Sequence, residues 1–150
     1  MSDSRIINDG SSSILQQTTN LTSSQQLTVL CIDDDHNTIE LMDAVISTKL
    51  TDSTFLHADN VDSAMVMFRT HSPDIVLVDI GLGGRNGTEL IEAVRARSKV
   101  PIICVSGHAM PSEIEKAKNA GATEYIVKPI DLDQLVGAIQ DNTLLKLECP

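Results

Sequence analysis

Residues 75–90 read IVLVDIGLGGRNGTEL. Ile75, Val76, Leu77 and Val78 are apolar at both parities, the pattern of a strand buried on both faces. The run ends on a carboxylate, Asp79, and a loop containing Gly81, Gly83, Gly84 and Gly87 follows. A negative charge at the lip of a core costs desolvation free energy, so its placement needs a reason.

Similar short runs recur at Val29–Ile32, Ile102–Val105 and Tyr125–Val127, while residues 53–58, STFLHA, are mixed and suit an edge strand. Between the runs lie stripes of helical period. Ile39, Met42, Val45, Ile46 and Leu50 make one, Val61, Ala64, Met65 and Phe68 a second, and Leu132, Leu135, Val136 and Ile139 a third. The Met and Phe positions on these stripes read as core packing. Asn86 with Glu89, and Ser112 with Glu115, have capping-box spacing at helix starts. Five strands alternating with five helices predict an α/β fold, a doubly wound parallel sheet with right-handed crossovers. Such a sheet binds ligands at the carboxyl ends of its strands.

The first 26 residues differ in kind: sixteen are Ser, Thr, Asn or Gln, and the few apolar residues keep no period. A polar tail over residues 1–27 is expected to be disordered, followed by one domain over 28–146 and a short C-terminal tail, 147–150. With 21 acidic and 11 basic residues the net charge is −10, which argues against nucleic acid or an anionic membrane as the main partner. No apolar stretch has the length of a membrane span or a signal peptide, so a cytoplasmic protein is expected. Cys31, Cys104 and Cys149 show no metal-ligand or redox spacing and read as reduced thiols.

The strand ends carry the polar chemistry. The first run enters Asp33, Asp34 and Asp35; the third ends at Asp79, the fourth at Ser106, and the fifth at Lys128 followed by Pro129. Two carboxylates about 4 Å apart repel by roughly 4 kcal/mol at an effective dielectric near 20. Asp33, Asp34 and Asp79 on one rim exceed what a single Lys offsets, and a hard divalent cation such as Mg²⁺ resolves the excess. A carboxylate, a cation, a hydroxyl and a lysine form a set suited to phosphoryl transfer, with Asp79 as nucleophile. Taken singly, each residue has a plainer reading: Asp33–Asp35 as a helix cap, Asp79 in a turn, Lys128 solvated. Their placement at the same end of successive strands favours the joint one.

At these residues the chain resembles the receiver domain of two-component response regulators. The match spans roughly 28–145 through VLCIDDD, IVLVDIGLGGRNG, PIICVSGH and EYIVKPI. The resemblance implies a flavodoxin-like sheet of order 2-1-3-4-5, for which receivers are themselves a standard example. It implies that Asp79 is the phosphoacceptor and that Asp33, Asp34, Asp79 and the Gly81 backbone carbonyl bind Mg²⁺. It further implies that Ser106 is the switch hydroxyl, Lys128 the family's lysine with a cis Lys128–Pro129 bond, and Tyr125 the aromatic that swings inward. Gly81 and His108 occupy positions that tune dephosphorylation. The loop departs from the family pattern at Gly83, often Pro, and Arg85, often apolar; the chemistry is expected to survive, with loop stiffness or kinase docking affected.

Three rival readings match the sequence less well. A haloacid-dehalogenase-type phosphohydrolase would use Asp33 as nucleophile, but Asn37 breaks its DxDx[TV] pattern and Asp79 would be idle. A nucleotide-binding flavodoxin-like module is poorly matched, because GLGGRNG places Asn86 where the last Gly belongs and Asp79 would repel a pyrophosphate. A receiver used only as a docking surface would not need an intact acidic site. The expectation is a stand-alone receiver, a signalling protein that promotes its own phosphorylation and autodephosphorylation and is not otherwise an enzyme. Its phosphodonor would be a histidine kinase or histidine phosphotransfer protein. Its protein target would bind the face of the fourth helix, fifth strand and fifth helix, with the chain a monomer or weak dimer.

Overall fold

The computed structural model describes residues 26–81, 87–107 and 110–148. Within them the chain runs β1 (Leu27–Ile32), α1 (His36–Lys49), β2 (Ser53–Ala58), α2 (Val61–His71), β3 (Ile75–Val78), α3 (Gly87–Arg95), β4 (Ile102–Ser106), α4 (Pro111–Ala120), β5 (Glu124–Val127) and α5 (Leu132–Glu148). The strands make one parallel sheet ordered β2-β1-β3-β4-β5, so STFLHA is indeed an edge. Regular structure begins at Leu27 and ends at Glu148, slightly outside the 28–146 limits drawn from the sequence, and helix and strand ends commonly shift by this much.

Strand alternation divides the core in two. Leu30, Ile32, Val76, Val78, Ile102 and Cys104 face α2, α3 and α4, meeting Phe68, Leu90, Ile91 and Ala117. Val29, Cys31, Ile75, Leu77, Ile103 and Val105 face α1 and α5, meeting Ile39, Met42, Ile46, Leu135 and Ile139. Helices on both sides cover the central strands β1, β3 and β4, which is why these strands read as unbroken apolar runs. The stripe residue Leu132 departs from its expected core position and is 37% exposed. With Val136 it lines a shallow groove against Val45 of α1, because the first turn of α5 leans on a helix and not on the sheet.

Local chemistry fixes the helix ends. Asp35 caps α1, its side chain accepting from the N–H of Asn37 at 3.0 Å, and Asn60 caps α2 through the N–H of Ser63 at 2.8 Å. The capping box read at Ser112 and Glu115 is not formed. Helix α4 starts two residues earlier than that box requires, at Pro111, with Met110 as a cap that makes no side-chain bond. Proline's fixed φ suits the first helical position, and its missing N–H leaves one fewer donor to satisfy there. Asn86 lies outside the described residues. At the other end of α4, Gly121 adopts φ +123°, and Arg95 donates to its carbonyl through Nε at 3.0 Å and Nη2 at 2.6 Å.

Gly87 is where α3 closes onto the end of β3: a Cβ there would sit 2.5 Å from the Asp79 carbonyl oxygen and 2.8 Å from the Ile80 Cα. Both are backbone atoms of a buried segment, so they cannot move aside. Gly87→Ala is expected to destabilise the fold by about 2 kcal/mol through overpacking. Gly137→Ala, where a Cβ meets nothing within 4 Å inside α5, is expected to stabilise it by up to about 1 kcal/mol. Urea midpoints of the two variants moving in the same direction would contradict this account.

Candidate functional site

The ladders of the sheet continue past the strand ends and bring the polar residues together. The N–H of Asp33 donates to the Ala58 carbonyl at 3.1 Å, that of Asp79 to Ile32 at 2.9 Å, and that of Lys128 to Ser106 at 2.9 Å. Asp33 and Asp79 therefore leave adjacent strands side by side. Carboxylate oxygens of Asp33, Asp34 and Asp79 lie within 4.8 Å of one another, the only such acidic, His or Cys group among the described residues.

Each side chain is held. Asp33 is 2% exposed; its Oδ1 accepts from the N–H of Asp35 at 2.9 Å, and its Oδ2 accepts from Lys128 Nζ at 2.9 Å. The same ammonium reaches Asp79 Oδ2 at 3.4 Å. Asp79 Oδ1 accepts from the N–H of Gly81 at 3.0 Å. Ser106 is fully buried at the end of β4, and Tyr125 of β5 hydrogen-bonds to it through its hydroxyl. Tyr125 is half-buried and packs against the core. The Lys128–Pro129 bond is cis.

Burial drives the Asp33 carboxyl above its ordinary range, against the pull of the Asp35 N–H and Lys128. Burial also pulls the Lys128 ammonium down, but its bond to Asp33 and the charge of Asp79 outweigh this and leave it above 10.5. Tyr125 is raised, first by burial, with its bond to Ser106 opposing. The neighbouring thiols are inert: burial and the nearby Asp79 push Cys104 up to about 12, and burial raises Cys31 further.

Three carboxylates crowd the rim, and among the described residues Lys128 is tied to two of them. The donor set, all hard oxygen and mostly held in place by hydrogen bonds, fits a divalent cation such as Mg²⁺. The plain capping reading applies to Asp35, whereas Asp33 and Asp34 turn to the rim. Asp33, Asp34, Asp79, Ser106, Lys128 and Tyr125 are thus gathered as the sequence indicated, while His108, Gly83 and Arg85 lie outside the described residues. Sequence reading passed over Gly87, whose signal was a glycine at a helix start, and the Gly81 N–H that steers Asp79.

A family model described as response regulator receiver domain matches residues 29–140. The transcriptional regulatory protein KdpE of Staphylococcus aureus is 32% identical over 115 residues, covering 77% of this chain and 49% of that protein. The DNA-binding response regulator MtrA of Mycobacterium tuberculosis is 29% identical over 112 residues, covering 75% and 48%. The chain therefore spans about half the length of the curated relatives it matches. Among solved structures, a CheY-like response regulator receiver domain protein of Methanospirillum hungatei superposes with a TM-score of 0.76 at 24% identity, covering 83% of this chain and 98% of that one. A two-component response regulator from Clostridium difficile gives 0.74 at 22% identity, covering 77% and 94%. These two establish the fold. The family match over residues 29–140 places the chain in the response regulator receiver domain family.

Proposed function

We propose that the chain relays a signal by accepting a phosphoryl group on Asp79 and then changing which protein its surface binds. The observation that supports this most directly is the rim itself: Asp33, Asp34 and Asp79 within 4.8 Å of one another, tied by Lys128. Asp79 is the nucleophile because it stands beside the acidic pair, Asp33 and Asp34, at the end of β3. Its carboxylate oxygen forms the new O–P bond while the bond from phosphorus to the donor's imidazole nitrogen breaks and the imidazole departs. Mg²⁺, held by Asp33, Asp34, Asp79 and the Gly81 carbonyl, would supply positive charge to the phosphoryl oxygens.

The chain's own groups do the rest. Lys128 loses an oxygen of Asp79 to the new acyl phosphate and donates to the phosphoryl group in its place. Ser106 donates to another phosphoryl oxygen, so its bond with Tyr125 is the contact that phosphorylation competes for. That competition biases a two-state element made of Ser106, Tyr125 and the face of α4, β5 and α5. Met110, 64% exposed, and Val127, 38% exposed, give that face apolar contacts for a protein target. A histidine kinase or histidine phosphotransfer protein is the donor, and Gly81 and His108 set how long the acyl phosphate persists.

Intact mass after incubation with acetyl phosphate and Mg²⁺ tests the proposal. The wild type is expected to gain one phosphoryl group and Asp79→Asn none. A wild type that neither gains mass nor binds beryllofluoride would remove the phosphoacceptor reading in favour of a docking module.

The charge balance gives a pH prediction. Because the folded pKa of Asp33 is raised, its contribution is best below the ordinary carboxylate value and is lost as pH rises through the raised one. Lys128 behaves likewise at the alkaline end, holding its contribution below 10.5 and losing it above. Asp33→Asn is therefore expected to raise the Tm of the metal-free protein at neutral pH and to abolish the further rise that Mg²⁺ gives the wild type. An unchanged Mg²⁺ response in Asp33→Asn would contradict the assigned ligand set.

A further inference from the structure

The opposite end of the sheet from the acidic rim carries a cavity of about 760 Å³. It opens at the amino ends of β3, β4 and β5, with Phe68 and Pro101 among its apolar walls and Arg97, Ser98, Lys99 and Thr123 among its polar ones. In a chain of net charge −10, no carboxylate lines it. Neither Arg97 nor Lys99 makes an ion pair among the described residues.

The polar walls are built to donate. Ser98 Oγ accepts from the N–H of Val100 at 3.1 Å, and Thr123 Oγ1 accepts from the N–H of Ile102 at 3.0 Å. Both hydroxyls thus spend acceptor capacity on the backbone and keep their O–H donors. Arg95 braces the loop from below, its Nη1 donating to the carbonyls of Ser98 at 3.1 Å and Val100 at 2.7 Å. The segment that carries Arg97 and Lys99 is therefore ordered before any ligand arrives, which lowers the entropic cost of binding.

We propose that this cavity binds a small phosphate monoester with a ring. Two cations match a dianion, and a guanidinium, an ammonium and two hydroxyls supply more donors than a carboxylate has lone pairs to receive. Phe68 and Pro101 give the ring an apolar seat. The volume falls within the range of small-ligand pockets, about 300–1,000 Å³.

Phenyl phosphate titrated into the full chain in EDTA, followed by amide NMR, tests this without loading the acidic rim. Saturable shifts are expected at residues 97–100 and Thr123. Inorganic phosphate, which lacks the ring, and the Arg97→Gln/Lys99→Gln double variant are each expected to bind about tenfold more weakly. Both substituted side chains are exposed, so a native amide spectrum of the variant serves as the folding control. Absence of saturation at about 10 mM, well above what a ligand of this size needs, would overturn the proposal. So would shifts centred on Asp33 and Asp79, or equal affinity in the double variant. Co-sedimentation with phosphatidic acid vesicles without any response to phenyl phosphate would assign the phosphate to a lipid and overturn the small-molecule site.

Discussion

The ammonium of Lys128, placed between Asp33 and Asp79 at 2.9 and 3.4 Å, is the contact on which the carboxyl end of the sheet depends. Asp33 is almost fully buried, and removing the single cation from two such carboxylates would leave charge in a site that cannot hydrate it. The bridge spans the sheet. Its anions come from β1 and β3, its cation from β5, and β4 lies between them carrying Ser106. Every feature that sets the strand order therefore also sets the charge balance of the rim.

Asp34 adds a third carboxylate to the group. In the proposed function this concentration of carboxylates is what makes the site responsive, since a metal and then a phosphoryl group change the local charge by whole units next to a buried hydroxyl. Ser106 is the point where this reaches the surface. It is shared with Tyr125, and Tyr125 sits on the strand flanked by the exposed Val127. A change in what Ser106 bonds is thereby a change in what the outer edge of the sheet presents.

The two ends of the sheet are built on opposite principles. At the carboxyl ends, acidic side chains crowd together and one lysine restrains them. At the amino ends, Arg95 of α3 spends its guanidinium on three backbone carbonyls, those of Ser98, Val100 and Gly121. This ties the end of α3 to the loop that leads into β4 and to the C-terminus of α4. The burial of Arg95 lowers its pKa but leaves it a cation, so the brace stays intact across ordinary pH. The braced end holds its shape while the acidic end is free to answer a ligand.

Much of this was legible in order and periodicity. Runs such as Ile75–Val78, apolar at both parities, require helices on both faces, and strict alternation with helical stripes then leaves a doubly wound parallel sheet. Asp33, Asp79, Ser106 and Lys128 stand immediately after or at the end of their strands, so a parallel sheet must bring them to one edge. Other features depend on distances between segments far apart in the chain, which a linear pattern does not contain. Leu132 keeps the helical period yet meets α1 instead of the sheet, and Ser112 gives up its cap position to Met110. The sequence by itself determined the order of the elements and which residues share the rim, because local periodicity and strand polarity decide both. Only the tertiary structure decided that one ammonium would bind two of the carboxylates, that Gly87 must lie against the backbone of Asp79, and that the amino ends would enclose a donor-lined cavity, because these follow from the packing of elements upon one another.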